Sequence, residues 1–442
     1  MEYSKSRRRF VKQGTLIAGG LMAAPLLGRT NYFSGAAGEI KVAVVGCGGR
    51  GTGAALQALL SKQNVKIVAL ADAFKDRVDD CYSKLMADDH SDLGVKGNLK
   101  AKIDVPESRR FVGFDAYRKA IPLADVVILT APPGFRPAHF EECVKLGKHV
   151  FMEKPVAVDP AGVKKVLELA TVAKQKRLNV VVGLQRRYQT SYLELYKRKE
   201  LIGDLVASQV WWNGSGVWVK KREPQQTEME YQMRNWYYFN WLCGDHIVEQ
   251  HVHNIDVGNW FKGDYPVKVQ GMGGRQVRTG KEYGEIFDHH YVEFTFPDGS
   301  VMNSQCRHIP GTMSKVDELL IGTKGKIYCG EGVIRDNKGK ELYRFDKKNQ
   351  NNPYQAEHDV LFAAVANGQH KFSDAEFGAK SSFAGIMGRM ATYSGQLLDW
   401  NKVLDSNLDI MPKEYSWSAQ PPVLPDADGF YPIAVPGKTK YV

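Results

Sequence analysis

The chain opens its patterned part with an apolar run, Ile40 to Val45, broken only by Lys41 near its start. Such a run predicts a strand buried on both faces. Gly46-Cys47-Gly48-Gly49-Arg50-Gly51 follows, and then Ala54, Ala55, Leu56 and Leu59 recur at helical spacing. A second strand pattern, VKIVALAD, ends at Asp72. Further strands are predicted in ADVVILTAPP (124–133), GKHVFMEKP (147–155) and NVVVGLQRRY (179–188), with an amphipathic helix over 161–177. Strand and helix alternate, as a doubly wound parallel sheet requires. From about residue 205 strand patterns succeed one another: LVASQVWWNG, VKVQGMGGRQV, HHYVEFTF, SVMNSQC and ELLIGTKGKIYC, separated by turns such as Pro297-Asp298-Gly299. The fold class expected is α/β, a parallel dinucleotide-type domain followed by an α+β domain with a mainly antiparallel open sheet. The last stretch, rich in Pro, Trp and Tyr, reads as an extended tail packed on the domain or on another subunit.

The first residues have a different character. Ser6-Arg7-Arg8-Arg9-Phe10-Val11-Lys12 matches the twin-arginine export pattern, Thr15 to Leu27 is apolar but too short for a membrane span, and Ser34, Gly35, Ala36 and Ala37 offer a cleavage site. This divides the chain into a signal (1–36), an NAD-binding domain (37–157) and a substrate and oligomerisation domain (158–442). The expected location is the periplasm, reached folded through the twin-arginine translocation machinery, with no membrane span in the mature form.

Composition narrows the functions. The net charge is +11, and nearly half of that excess comes from Lys5, Arg7, Arg8, Arg9, Lys12 and Arg29 against Glu2. No basic run is interleaved with aromatics elsewhere, which argues against nucleic acid. The six cysteines, Cys47, Cys81, Cys143, Cys243, Cys306 and Cys329, form no CxxC pair and read as buried thiols rather than a disulfide framework.

The glycine stretch has a specific use. Gly46 permits a tight turn, Gly48 lets backbone N–H groups approach a pyrophosphate, Gly51 lets helix and strand pack closely, and the helix N-terminus favours the anion. Asp72 lies about 20 residues past Gly51, where an acid accepts bonds from both ribose hydroxyls and repels a 2′-phosphate. NAD is therefore favoured over NADP. A cofactor carried through export must also be held tightly and restored in place, so slow NAD release is expected.

The glycine triplet, TAPP, GKHVFMEKP, GLQRRY and a later H-x-x-D stand in the order found in the Gfo/Idh/MocA oxidoreductases, which include glucose–fructose oxidoreductase and inositol dehydrogenase. The chain resembles that family along nearly all its length after residue 37. The resemblance implies hydride transfer between NAD(P) and a sugar or polyol carbon, and a homo-oligomer. It adds Arg50, Pro132, Glu153 and Gln185 to the cofactor-binding positions Gly46, Gly48, Gly51 and Asp72. It places Lys154 between nicotinamide and substrate, a catalytic as well as a cofactor position, where a cationic ring nearby would favour proton exchange with the reacting hydroxyl.

GDHIVEQHVHNID (244–256) is predicted helical. It differs from the family's D-x-G-x-H-x-x-D in carrying Glu249 for Asp and His251 for Gly, while His253 and Asp256 match. His253 is the expected general acid/base, with Glu249 orienting it or bonding a neighbouring hydroxyl. Asp256, Arg187, Trp236 and His251 are the expected substrate contacts. Pro133 and Arg136 replace a family Asn and His, and His139 is read as a helix residue without a catalytic role. On one helical face His246, Glu249 and His253, with His251, form a set of the kind that holds zinc or manganese; no metal is assigned, and the question stays open at this point. Trp211, Trp212, Trp218, Trp236 and Trp241, with Tyr231, Tyr237, Tyr238 and Phe239, crowd the same region. Flat aromatic faces suit a pyranose ring, and their number points to a glycoside or oligosaccharide. The leading expectation is an exported oxidoreductase acting on a sugar or glycoside hydroxyl, with C3 of a glucoside as a special case. The alternatives are an NAD-dependent glycosidase working by transient oxidation and elimination, and a non-catalytic carbohydrate-binding protein.

Overall fold

The computed structural model describes residues 38–90 and 99–440. The twin-arginine segment and its cleavage site lie outside the described residues.

Six strands form the first sheet: β1 Ile40–Val45, β2 Val65–Asp72, β3 Arg110–Val112, β4 Val126–Leu129, β5 His149–Met152 and β6 Val180–Val182, in the order β3-β2-β1-β4-β5-β6 and parallel throughout. The order reverses between β1 and β4, the crevice where open α/β sheets bind ligands. Helices α1 Gly49–Leu60, α2 Lys75–Leu85, α3 Ala116–Ala120, α4 Arg136–Lys145 and α5 Pro160–Gln175 supply the crossovers. Val42, Val44, Ile128 and Phe151 are wholly buried, which is why these strands read as mainly apolar runs.

The parallel sheet takes in β6, so the boundary at 157 read from the sequence falls short. α5 is the crossover to β6, and both belong with the first sheet.

Helices α6 Thr190–Tyr196, α7 Glu228–Arg234, α8 Asn240–Cys243, α9 His246–Glu249 and α10 Val252–Lys262 lead into a nine-stranded sheet. Its strands are β7 Leu205–Gly214, β8 Lys268–Gly274, β9 His289–Thr295, β10 Val301–His308, β11 Lys315–Gly322, β12 Gly325–Tyr328, β13 Val333–Asp336, β14 Glu341–Arg344 and β15 Leu398–Asp399. The order is β14-β13-β12-β11-β7-β10-β9-β8-β15, antiparallel except where β10 runs parallel to β7. Helix α11 Pro353–Ala366 returns to pack on α1, and α12 Ala375–Ser394 lies against both α5 and β8, fastening the domains together. A short α13 Trp400–Asp405 precedes the tail. The tail packs on its own chain: Trp417 meets Phe74 at 4.9 Å and Phe114 at 4.6 Å, and Tyr431 meets Phe239 at 4.9 Å. All six cysteines are buried and unbridged. Among the described residues no helix is long and apolar enough to cross a membrane.

The single helix expected over 244–256 is two. His251 N–H bonds the carbonyl of His246 rather than that of Ile247, which interrupts the helical ladder. The His251 ring is drawn inward between Ser304 Oγ (2.8 Å) and Asn254 Oδ1 (3.3 Å), and α10 starts afresh at Val252.

Candidate active site

A cavity of 760 Å³ opens over the C-terminal ends of β1, β2 and β4 and is roofed by the second domain. The glycines shape its floor. Gly46 has φ +99°, and a Cβ there would stand 2.2 Å from Ala131 N. A Cβ on Gly51 would stand 1.9 Å from the Gly46 carbonyl oxygen. Gly48 caps α1 without any side-chain bond to the first-turn N–H groups, and a Cβ there would meet nothing within 4 Å. Free N–H groups at a helix start beside open space form an anion cradle. Asp72 closes β2; its carboxylate accepts from Cys47 N (2.7 Å) and Phe74 N (3.0 Å), while burial raises its pKa. These features fit a dinucleotide: a cradle for pyrophosphate and an acid placed for ribose hydroxyls.

Arg50 lines the cavity with its guanidinium committed to Glu153 and, at 3.1 Å, to the buried Glu357. Burial and the charge of Glu153 push Glu357 upward in pKa. Gly183 leaves room for Glu153, since a Cβ there would lie 2.7 Å from Glu153 Oε2. Pro132 and Gln185 also face the cavity, and Gln185 Nε2 bonds Tyr354 Oη at 3.3 Å.

Lys154 stands where the domains meet. Its Nζ donates to the Glu249 carbonyl at 2.6 Å and to Glu249 Oε1 at 2.9 Å, with both side chains nearly buried. Glu249 therefore positions Lys154 rather than His253, correcting one of the roles expected for it. His253 lines the same cavity, stacked on Trp212 at 6.0 Å, and its Nδ1 has no partner. Burial, reinforced by the charge of Lys154, holds its pKa well below the usual histidine value, so the ring is neutral.

The expected substrate contacts separate. Trp236 lines the cavity, edge-on to Trp218 at 5.7 Å, and Trp212 and Trp218 line it too. Trp241 is buried in the core, and Trp211 sits on the sheet under Lys315. Arg187, Asp256 and His251 lie outside the cavity wall. Arg187 and Asp256 satisfy each other through two 2.8 Å bonds, with Ser381 Oγ also on Asp256 at 2.7 Å. His251 is spent on Ser304 and Asn254. Each is held by neighbours that spacing along the chain does not reveal.

The helical face of His246, Glu249 and His253, whose residue types suit a metal, is likewise dispersed by the break in the helix. His246 turns into the core, stacked on His308 at 4.3 Å, away from Glu249 and His253. Among the described residues the compact ligand-type group is instead Asp245, His246 and His290.

Arg136 was legible only as a departure from the family pattern. It is buried at the cavity wall, with Nε on the Glu153 carbonyl (3.0 Å), Nη2 on the Ala131 carbonyl (2.7 Å) and Nη1 unpartnered. Burial lowers its pKa to about 10. His139 also lines the cavity, beside Phe135 and Tyr117, and burial lowers its pKa to about 3.

Residues 40–183 match the family model GFO_IDH_MocA, described as an oxidoreductase family with an NAD-binding Rossmann fold. The match covers the first domain, which is similar to the NAD-binding domain of that family. The chain is 23% identical over 210 residues to a 2,7-anhydro-N-acetylneuraminate hydratase of Escherichia coli, covering 46% of this chain and 51% of the relative. It is 26% identical over 160 residues to an inositol 2-dehydrogenase/D-chiro-inositol 3-dehydrogenase of Lactiplantibacillus plantarum, covering 36% of this chain and 39% of that one. The chain thus spans about half or less of the length of these relatives. The fold is shared with the aldose-aldose oxidoreductase from Caulobacter crescentus complexed with glycerol, at TM-score 0.62 and 17% identity over 82% of this chain and 100% of that one. It is shared also with scyllo-inositol dehydrogenase from Lactobacillus casei with bound NAD(H) and scyllo-inositol, at TM-score 0.60 and 18% identity over 82% and 100%.

Proposed function

We propose that the protein is an NAD(H)-dependent oxidoreductase acting on a hydroxyl-bearing carbon of a sugar, cyclitol or glycoside, with C3 of a glucoside as the special case. The observation that carries this reading is the meeting of Lys154 with Glu249 and a neutral His253 at the cavity where the two domains join. Gly46, Gly48 and Gly51 with the start of α1 would hold the pyrophosphate of NAD, and Asp72 the adenosine ribose. Bound there, NAD supplies a nicotinamide carbon that accepts or returns a hydride. Lys154, kept in place by Glu249, exchanges the proton of the reacting hydroxyl, and the neutral His253 ring at the cavity wall is the other group placed to hydrogen-bond that hydroxyl. Trp212, Trp218 and Trp236 offer faces on which a pyranose stacks. Hydride-transferring relatives act on inositols and aldoses by name, which supports the substrate class.

The twin-arginine pattern supports a further part of the proposal: the protein is exported folded to the periplasm, carries its NAD with it and restores it in place. The test is a near-ultraviolet spectrum of the purified protein before and after adding a panel of glycosides and cyclitols. Appearance of bound NADH without release of aglycone supports the oxidoreductase. Aglycone release without net cofactor change would move the assignment to a glycosidase, and failure to bind any dinucleotide would overturn both.

A further inference from the structure

The adenosine end of the cavity is closed by a contact between the domains. Asp72 marks that end, since the acid closing β2 serves the adenosine ribose in such sites. Phe74 follows it, with its N–H on the Asp72 carboxylate, and its ring lines the cavity. Arg234, from α7 of the second domain, lies across this ring with its guanidinium carbon 3.7 Å from the centroid. The same guanidinium grips Asp76 of α2 through two bonds, Nη1–Oδ2 at 2.7 Å and Nη2–Oδ1 at 2.9 Å. Arg234 also lines the cavity.

Both sides of the contact are braced by further packing. Gln232 of α7 is fully buried, accepting from Trp241 Nε1 (2.7 Å) and donating to the Val423 carbonyl of the tail (2.7 Å). Trp417 of the tail backs Phe74 at 4.9 Å. A planar guanidinium gripping a carboxylate at two points while stacked on an aromatic face is more than a surface ion pair of chance, because it fixes orientation as well as distance. Lys154 and His253 mark the other, nicotinamide end.

We propose that Arg234 retains the dinucleotide: the Arg234–Asp76 pair, laid over Phe74, latches the second domain across the adenosine end of the cavity, and the cofactor leaves only when this latch opens. The inference rests on the reading that the cavity holds NAD. It gives a structural basis for the slow release that an exported NAD protein needs.

The experiment uses the full chain loaded with radiolabelled NAD and chased with excess unlabelled NAD. Arg234→Ala is expected to release label about tenfold faster than the wild-type protein, equivalent to ~1.4 kcal/mol. Arg234→Lys and Asp76→Asn, which each keep part of the contact, fall between. Raising the salt concentration speeds release from the wild type but not from Arg234→Ala, since the pair is partly exposed and therefore screened. Thermal melting confirms that the variants are folded. If Arg234→Ala binds NAD and releases it within twofold of the wild-type rate, the latch is overturned and the cofactor assignment stands. If the wild-type protein binds no NAD, both are overturned.

Discussion

Gly48 separates what the fold needs from what the ligand needs. It caps α1 at φ −70° and ψ −173°, an extended conformation that any residue adopts, and a Cβ there would meet nothing within 4 Å. Gly48→Ala should therefore leave the protein folded. Losing glycine at an N-cap costs ~0.5–1 kcal/mol, and the stiffer unfolded chain returns about 0.4–1 kcal/mol. The melting temperature should move by no more than about 2 °C. The added methyl instead occupies the space beside the first-turn N–H groups, where the pyrophosphate is placed. Loss of one hydrogen bond to a charged group costs about 1.5–3 kcal/mol, so the dissociation constant for NAD should rise about 10- to 100-fold. The assay is calorimetric titration of NAD into stripped protein, paired with thermal melting. Gly51→Ala is the contrast. Its Cβ would stand 1.9 Å from Gly46 O and 2.7 Å from Thr130 Oγ1, so it should lose stability by ~1–3 kcal/mol as well as cofactor. A Gly48→Ala protein with unchanged melting and an NAD affinity within twofold of wild type would refute the placement of the pyrophosphate.

Lys154→Ala should abolish hydride transfer to sugar while leaving the NAD dissociation constant nearly unchanged in titration; wild-type turnover in that variant would remove Lys154 from the chemistry. Arg187→Ala leaves Asp256 buried without its partner and should cost about 3–5 kcal/mol in urea unfolding. The KM for sugar of the folded fraction should not change, and a raised KM with unaltered stability would return Arg187 to the substrate. Burial holds His139, His251 and His308 neutral, with pKa values lowered from 6.5 to about 3. A depressed histidine value favours the folded state above the unfolded pKa, and that stability is lost as pH falls from about 6.5 toward 3, roughly 2 kcal/mol per histidine by about pH 5. Glu285 and Asp374, pushed up by burial to about 7, gain protons over the same descent and offset part of the loss. Urea unfolding should still show lower stability at about pH 5 than at pH 7.5; an equal or higher value would contradict the burial of these rings as neutral groups.

Local signals carried the first domain. Strands buried on both faces are apolar at most positions, and turns at a phosphate cradle need glycine, so β1, the glycine stretch, α1 and Asp72 are readable in order along the chain. The second sheet was readable as a class from its succession of strand patterns and turns, but its order, with β7 parallel to β10 at its centre, was not. The division at 157 left out β6, which pairs with β5, although 179–188 reads as a strand of the same alternating pattern.

The cofactor side follows from local sequence: the parallel fold, the glycine cradle and the residue types available for chemistry each depend on neighbours a few positions away. Only the tertiary structure decided how those residues are used. Lys154 meets Glu249 across the domain boundary, Arg187 is consumed by Asp256, and His251 is drawn to Ser304, where the helix expected over 244–256 is interrupted. Arg234 reaches Asp76 from the far domain. A charged or polar side chain takes whichever partner packing brings within about 3 Å, and that choice is settled by how the two sheets and α12 stack, not by spacing along the chain.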